Sequence, residues 1–366
     1  MERYETVIIG GGQAGLATGY ELKKRGQSFL ILEANERIGD SWRKRWDSLR
    51  LFTPAKYDGL PGLRFPAPGW SFPTKDEMGD YLESYAARFE LPVRTGVAVD
   101  RVFRDGTRYV VESGLHTYEA DNVVVATGAH GVPKKPAFAA DLDPRIVQLH
   151  SVDYRSPAQL ADGAVLVVGL GNSGAEIAFE LSRTRTILQS GTPSAEIPVR
   201  HGGLGARLLL PVIRFLGTRV LNVKTPIGRK IRPRFVLMAA PLIRVKSKDL
   251  AAAGVERVAR VVGTRDGLPL LEDGRTLEVA NVLWCTGFRY ELSWIDLPIL
   301  GEDGAPRHER GVVPAAPGLF FVGLSFQSAA TSDVLPGVGR DAAYIARQVT
   351  KAVRTAAPAE TGLVPA

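Results

Sequence analysis

The residues of this chain with the plainest chemical use are two glycine-rich stretches, Gly10-Gly11-Gly12-Gln13-Ala14-Gly15 and Gly169-Leu170-Gly171-Asn172-Ser173-Gly174. Both fit G-x-G-x-x-G. Each follows a β-branched run, Val7-Ile8-Ile9 or Val165-Leu166-Val167-Val168, and each opens a helix-forming segment. At this spacing the first glycine allows the turn, the second lets the backbone approach a pyrophosphate, and the third lets helix and strand pack closely. The helix N-terminus then faces the phosphates. Glu33 ends a further strand run, Ile31-Leu32, 18 residues after Gly15. A carboxylate there is placed to accept the ribose hydroxyls of an adenosine.

A second pairing supports both copies. The strand Asn122–Val125 leads into Thr127-Gly128, and Asn281–Trp284 leads into Thr286-Gly287. Gly10 to Gly128 and Gly169 to Gly287 each span 118 residues, so the chain carries a coarse repeat offset by 159. The pattern predicts an α/β protein with two Rossmann-like dinucleotide-binding domains, the second inserted in the first. The expected limits are 1–152 with 290–366 for the first and 153–289 for the second. At the end of the second unit's second strand, Gln189-Ser190-Gly191, no carboxylate favours a free ribose 2′-hydroxyl. Ser190 and Thr192 can donate to a 2′-phosphate and Arg200 follows, which favours NADPH over NADH. Arg200 as plain surface charge is an equal alternative.

The elements that must position these groups are also legible. Thr74-Lys75-Asp76-Glu77 is a capping box ahead of Met78, Tyr81, Leu82, Tyr85 and Phe89 on one helical face. Runs from Val97 to Phe103 and Tyr109 to Val111, joined across Asp105-Gly106, predict a small antiparallel sheet. A similar Asp273-Gly274 turn precedes Thr276–Val279. The tail offers a strand, Leu319–Val322, then Gly323 and a helix starting near Gly337 to Asp341, expected to fold back onto the first unit.

Composition narrows the chemistry. At 366 residues, 45% hydrophobic and 23% charged, the chain is a folded protein rather than a disordered one. Cys285 stands alone, which excludes an intramolecular disulfide or Cys-x-x-Cys redox centre, and five scattered histidines lack metal-ligand spacing. No secretory signal or membrane-spanning run is visible, so a cytoplasmic location is expected. From Ile197 through Lys248 there is no Asp or Glu against twelve Lys and Arg, while the whole chain carries only +7. This basic insert, about 200–248, has three readings: a docking surface for peripheral contact with anionic lipid, the wall of a channel for an acidic apolar substrate, or a solvated face whose apolar residues pack on the core. Nucleic acid is not expected, because no stacking aromatics accompany the charge. The oligomeric state stays open.

Two nucleotide sites without a cysteine pair imply a flavin that keeps electrons and a nicotinamide that brings them, with oxygen as the natural acceptor. Beyond this, the double fingerprint, the segment Gly39-Asp40-Ser41-Trp42-Arg43-Lys44-Arg45-Trp46, Leu60-Pro61-Gly62, Pro73-Thr74-Lys75 and Thr127-Gly128 followed by Pro133 and Pro136 together resemble class B flavoprotein monooxygenases, with the YUCCA-type and CzcO-like flavoproteins nearest. The resemblance covers nearly the whole chain. It implies FAD held tightly in the first unit, NADPH in the second, and a flavin C4a-hydroperoxide that passes one oxygen atom to a small organic substrate. It also implies that Trp42 flanks the isoalloxazine, that Val97 meets adenine through its backbone, and that Gln327, Ser325 and Gly323 line the flavin or substrate pocket.

Two positions depart from the family. Its linker signature F-x-G-x-x-x-H-x-x-x-Y keeps His150 and Tyr154, but Pro144 and Ile146 replace the phenylalanine and glycine. Where relatives place an asparagine or histidine near C4a, this chain has Phe52, which cannot hydrogen-bond a peroxide; neighbouring Thr53 can. Alternatives to oxygen insertion therefore stand: an NADPH oxidase or flavin reductase releasing hydrogen peroxide, a YUCCA-like oxidative decarboxylase of an arylpyruvate, and a non-catalytic flavoprotein accessory. His150 reads equally as a linker clamp, and Cys285 as an inert buried residue.

Overall fold

A computed structural model describes residues 2–128, 131–238 and 240–356. The first fingerprint lies between β1 (Glu2–Ile9) and α1 (Gln13–Lys23), and β2 (Phe29–Leu32) runs parallel to β1 in register Val7 with Leu30. These buried β-branched runs sit at the centre of a seven-stranded sheet, as parallel strands covered on both faces do. Its order is β3 (Val93–Arg94), β2, β1, β6 (His116–Val125), β5 (Arg108–Ser113) and β4 (Arg101–Asp105). The last three form an antiparallel meander, and β4–β5 turns across Asp105-Gly106. Of the run expected from Val97, only the part from Arg101 enters the sheet.

The tail returns to the first unit. β16 (Leu319–Phe321) pairs parallel with the C-terminal half of β6, Phe320 opposite Val124. The long helix α8 (Leu335–Ala356) then buries Val338, Ala342, Ile345 and Val349 in one core with Leu16, Ala17 and Leu22 of α1. Helix α3 (Lys75–Arg88) starts at the expected box: the Glu77 N–H donates to the Thr74 hydroxyl at 3.2 Å and the Thr74 N–H donates to the Glu77 carboxylate at 2.7 Å. Its Met78, Tyr81, Leu82 and Tyr85 are buried. The short α2 (Asp40–Arg43) packs beside it.

The second fingerprint lies between β9 (Val165–Val168) and α4 (Asn172–Leu181). The sheet around it is wholly parallel: β11 (Glu256–Val258), β10 (Ile187–Ser190), β9, β14 (Asn281–Trp284) and β8 (Val147–His150). Residues 147–150, assigned to the first unit on sequence, thus hydrogen-bond in the second. Two small ribbons complete the strands, β7 (Val132–Pro133) with β15 (Phe288–Arg289), and β12 (Val261–Arg265) with β13 (Leu268–Leu271). The latter turns on Asp266-Gly267, both in the left-handed region; the expected Asp273-Gly274 turn follows it, Gly274 at φ +86° with its N–H donating to the Leu271 carbonyl at 2.9 Å, but of the expected strand only Thr276 bridges back, to Leu270. Three helices fill the basic stretch and its exit, α5 (Leu204–Phe215), α6 (Pro226–Phe235) and α7 (Ser247–Ala252). Among the described residues no helix is long and apolar enough to cross a membrane.

Candidate functional site

Both fingerprint turns have the geometry their glycines demand. Gly10 has φ +106° and a Cβ there would stand 2.7 Å from the Ala126 carbonyl oxygen, while one on Gly15 would stand 1.9 Å from the Gly10 carbonyl oxygen. The second turn repeats this: a Cβ on Gly169 would meet the Cys285 carbonyl at 2.3 Å, and one on Gly174 the Gly169 carbonyl at 2.1 Å. These four glycines are needed by the protein itself. Gly12 and Gly171, the middle glycines, differ: a Cβ on either meets open space within 4 Å, as at Gly128 and Gly287. Nothing in the chain requires them to be glycine, which is what a turn shaped for a ligand's phosphates looks like.

A cavity of about 580 Å³ runs over the first turn, within the range of small-molecule and cofactor clefts. It takes in Gly10, Gly12, Gln13 and Ala14 from the turn, Thr127 and Gly128 after β6, and Gly323 after β16. Glu33 stands at its edge, 8% exposed. One oxygen accepts the Gly11 N–H at 2.6 Å; the other accepts the Asn35 N–H at 2.9 Å and its side-chain amide at 2.6 Å. Such a carboxylate is fixed in direction with lone pairs remaining for hydroxyl donors. Trp42 forms another wall, its indole N–H donating to Gln13 Oε1 at 3.3 Å. Val97 lines the cavity too, but its N–H is engaged with the Glu33 carbonyl at 2.9 Å and is not free to address a base. The open cradle at Gly12 and the buried carboxylate 22 residues from its donor Gly11 fit the phosphates and ribose of a dinucleotide.

Phe52 and Thr53 also line this cavity. The Phe52 carbonyl accepts from His201 Nε2 at 3.0 Å; that imidazole stacks on Phe72 with centroids 3.9 Å apart, and burial holds its pKa below the usual value. The Thr53 hydroxyl pairs with Asp58 Oδ1 at 2.5 Å. Asp58 is fully buried, its second oxygen has no partner, and burial pushes its pKa up to about 7. No spacing signal marks Asp58; its importance comes from the fold closing over it. When Asp58 holds the proton it donates to Thr53, and the threonine hydrogen is then free for an acceptor in the cavity.

The second turn reaches the same cavity through Asn172 and Ser173, with Glu176 one helical turn on. Burial raises the Glu176 carboxyl to about 7 despite Arg244, whose guanidinium lies 3.0 Å away. Asp333, two residues before α8, lines the cavity as well, and burial raises its pKa. Neither carboxylate was visible as a site residue in the sequence.

Several residues expected at the ligand are instead engaged by the protein. Gln327 is fully buried away from the cavity; its amide accepts the Leu324 N–H at 3.3 Å and donates to the Arg310 carbonyl at 3.2 Å, so it secures a turn. The Ser190 hydroxyl donates to the Ala259 carbonyl and accepts the Val261 N–H, both at 2.9 Å, and is fully buried, so it cannot receive a 2′-phosphate. The Thr286 hydroxyl donates to the Lys134 carbonyl, and Gly287 with φ +80° accepts the Lys134 N–H at 2.9 Å. Asn172 clasps the 241–243 segment, donating to the Pro241 carbonyl at 2.9 Å and accepting the Ile243 N–H at 3.0 Å. Arg200 is exposed beyond the end of β10. The departures in the linker are compensated: His150 Nε2 donates to the Gly287 carbonyl at 3.1 Å, and the buried Tyr154 hydroxyl donates to Glu180 at 2.9 Å. His150 is a clamp. Burial pushes the Cys285 thiol up to about 12, which leaves it inert at neutral pH.

Residues 7–197 match the pyridine nucleotide-disulphide oxidoreductase family. The chain is 37% identical over 350 residues to the oxidoreductase CzcO of Bacillus subtilis (strain 168), covering 94% of this chain and 99% of the relative. It is 29% identical over 391 residues to indole-3-pyruvate monooxygenase YUCCA1 of Oryza sativa subsp. japonica, covering 95% and 93%. Its fold superposes on a flavin-containing monooxygenase from Stenotrophomonas maltophilia with a TM-score of 0.74 and 30% identity, over 96% of this chain and 99% of that one. With two dinucleotide turns opening on one cavity and no cysteine pair, the chain belongs to the pyridine nucleotide-disulphide oxidoreductase family, as an oxidoreductase of the class B flavoprotein monooxygenase group.

Proposed function

We propose that the protein is an NADPH-dependent FAD monooxygenase that inserts one atom of O2 into a small organic substrate. The observation that carries this reading is the shared cavity: Gly10, Gly12 and Gln13 of one fingerprint and Asn172 and Ser173 of the other line a single space. When bound, FAD and NADPH supply the hydride transfer and oxygen activation themselves. The domain limits proposed for them remain 1–152 with 290–366 and 153–289, although β8 of the first stretch pairs in the second unit's sheet.

The work of the chain is to hold, orient and exclude water. Gly12 leaves room for the FAD pyrophosphate at the N-terminus of α1, and Glu33 takes the adenosine ribose through the lone pairs its two oxygens keep beyond their bonds from Gly11 and Asn35. Trp42, held by Gln13, walls the isoalloxazine region. Gly171 leaves room for the NADPH pyrophosphate, and Arg200 with Thr192 takes the 2′-phosphate now that Ser190 is engaged elsewhere. Phe52 keeps water from the reacting region, and Asp58 with Thr53 holds one proton that can be presented at Thr53 Oγ1.

One observation favours the hydrogen peroxide-releasing reading beside it: the Phe52 side chain offers no hydrogen bond, and the one hydroxyl next to it is turned toward Asp58. The two readings are separated by oxygen accounting. NADPH consumption measured together with hydrogen peroxide, over a panel of amine, thioether and 2-oxo acid compounds, should show at least one compound that suppresses peroxide well below the NADPH consumed. Peroxide equal to NADPH with every compound would make the protein an oxidase.

A further inference from the structure

The basic insert presents apolar side chains to solvent. Ten of the thirteen large apolar side chains left exposed among the described residues fall between Leu204 and Met238. On α5, Leu204, Leu208, Val212 and Phe215 follow one another at helical spacing with relative exposures of 78%, 77%, 49% and 60%. On α6, Ile227 and Ile231 repeat the pattern a turn apart, and Leu237 just beyond is 87% exposed. A soluble surface scatters such residues; here they are gathered on two helices.

The ledge is fixed, because its middle is pinned to the loop before α8. The Val223 N–H donates to the Ser328 carbonyl at 2.9 Å, the Ala330 N–H donates to the Leu221 carbonyl at 3.0 Å, the hydroxyls of Thr218 and Thr331 pair at 3.2 Å, and the Phe235 ring meets Phe326 edge-on at 5.0 Å. The expectation that the apolar residues pack on the core holds only in part: Ala206 and Leu242 are buried, but Leu204, Leu208, Val212, Phe215 and Leu237 are exposed. No lining residue of the cavity over the first turn lies between 177 and 287, so the insert does not wall that cavity, while its Arg214 lines a second one of about 420 Å³ with Tyr57 and Arg340.

Between residues 204 and 238, which carry these apolar stripes, the sequence has eight Lys and Arg and no Asp or Glu. Arg207, Arg214, Arg229, Lys230 and Arg234 are all exposed. Pairing of two copies through this face would set two such groups of cations against each other with no carboxylate from the insert between them. An anionic bilayer is complementary on both counts, offering acyl chains to the stripes and phosphates to the cations. We propose that α5 and α6 form a peripheral docking surface for an anionic lipid bilayer, the apolar stripes entering the headgroup boundary and the lysines and arginines lying against lipid phosphates.

The test is flotation of the flavin-loaded protein with vesicles of phosphatidylcholine alone and of phosphatidylcholine mixed with phosphatidylglycerol. The mixed vesicles should carry about tenfold more protein, and salt should weaken the binding. Leu208→Asp with Leu237→Asp changes only exposed side chains, so melting temperature and NADPH turnover should hold while binding falls about tenfold or more. Lys230→Glu with Arg234→Glu should lower it comparably. Three results would overturn the proposal: no flotation with the mixed vesicles, binding indifferent to the leucine substitutions, or a doubled mass by light scattering that Leu237→Asp returns to one chain while vesicles are ignored.

Discussion

The two nucleotide turns share one backbone design and differ in what surrounds them. Around the first, the polar groups aim inward at the cavity: Glu33 is oriented by Gly11 and Asn35, and Gln13 by Trp42. Around the second, the corresponding groups are engaged by the protein: Asn172 with 241–243, Ser190 with Ala259 and Val261, Thr286 with Lys134. A site whose polar groups are oriented before the ligand arrives loses less order on binding and holds tightly, whereas one with few free groups releases readily. The contrast suits a resident FAD and a visiting NADPH.

The sharpest way to break the comparison is to add one methyl group at each glycine. Gly15→Ala puts a Cβ 1.9 Å from a carbonyl oxygen and should destabilise the fold by about 3 kcal/mol, read as a lowered denaturation midpoint. Gly12→Ala meets nothing in the protein, so it should keep the fold while flavin content at purification falls to about a tenth or less. If Gly12→Ala keeps its flavin, the open cradle is not where the pyrophosphate lies. At the second turn, Gly171→Ala should leave flavin content alone and raise the KM for NADPH.

Asp58→Asn tests the buried carboxyl. Its folded pKa, about 7, stands above the usual 3.8, so the folded state favours the protonated form and this group's contribution to stability declines as pH rises from about 4 to 7. The neutral variant escapes that decline. Its stability relative to wild type should therefore improve by roughly 2–4 kcal/mol between pH 4 and pH 8 and then level off, as denaturant melts at several pH values would show. A difference independent of pH would mean that Asp58 is ionised throughout. The smallest expected effect is at the least engaged residue: Arg200→Ala should raise the KM for NADPH about tenfold and leave NADH unchanged. Equal weakening of both would remove Arg200 from the phosphate.

What could be read from the sequence follows from where the causes lie. Both turns, the α3 cap, Glu33 and the return of the tail rest on local spacing, on backbone angles that only glycine adopts easily, or on a strand with no other partner. Ser190, Thr286 and Gln327 looked free because their partners are set by the fold: Ala259 lies 69 residues from Ser190 and Lys134 lies 152 from Thr286. The hairpin at Asp266-Gly267 and the turn at Asp273-Gly274 carry the same dipeptide, so only strand pairing distinguishes them. Asp58 was invisible since burial, not spacing, raises its pKa.

Anaerobic mixing of the yellow, flavin-loaded protein with NADPH tests the central claim most directly. Two nucleotides meeting in one cavity predicts that the visible flavin band bleaches while the flavin stays with the chain, and that oxygen restores it. A band that NADPH leaves untouched, or flavin that departs as NADPH enters, would contradict it.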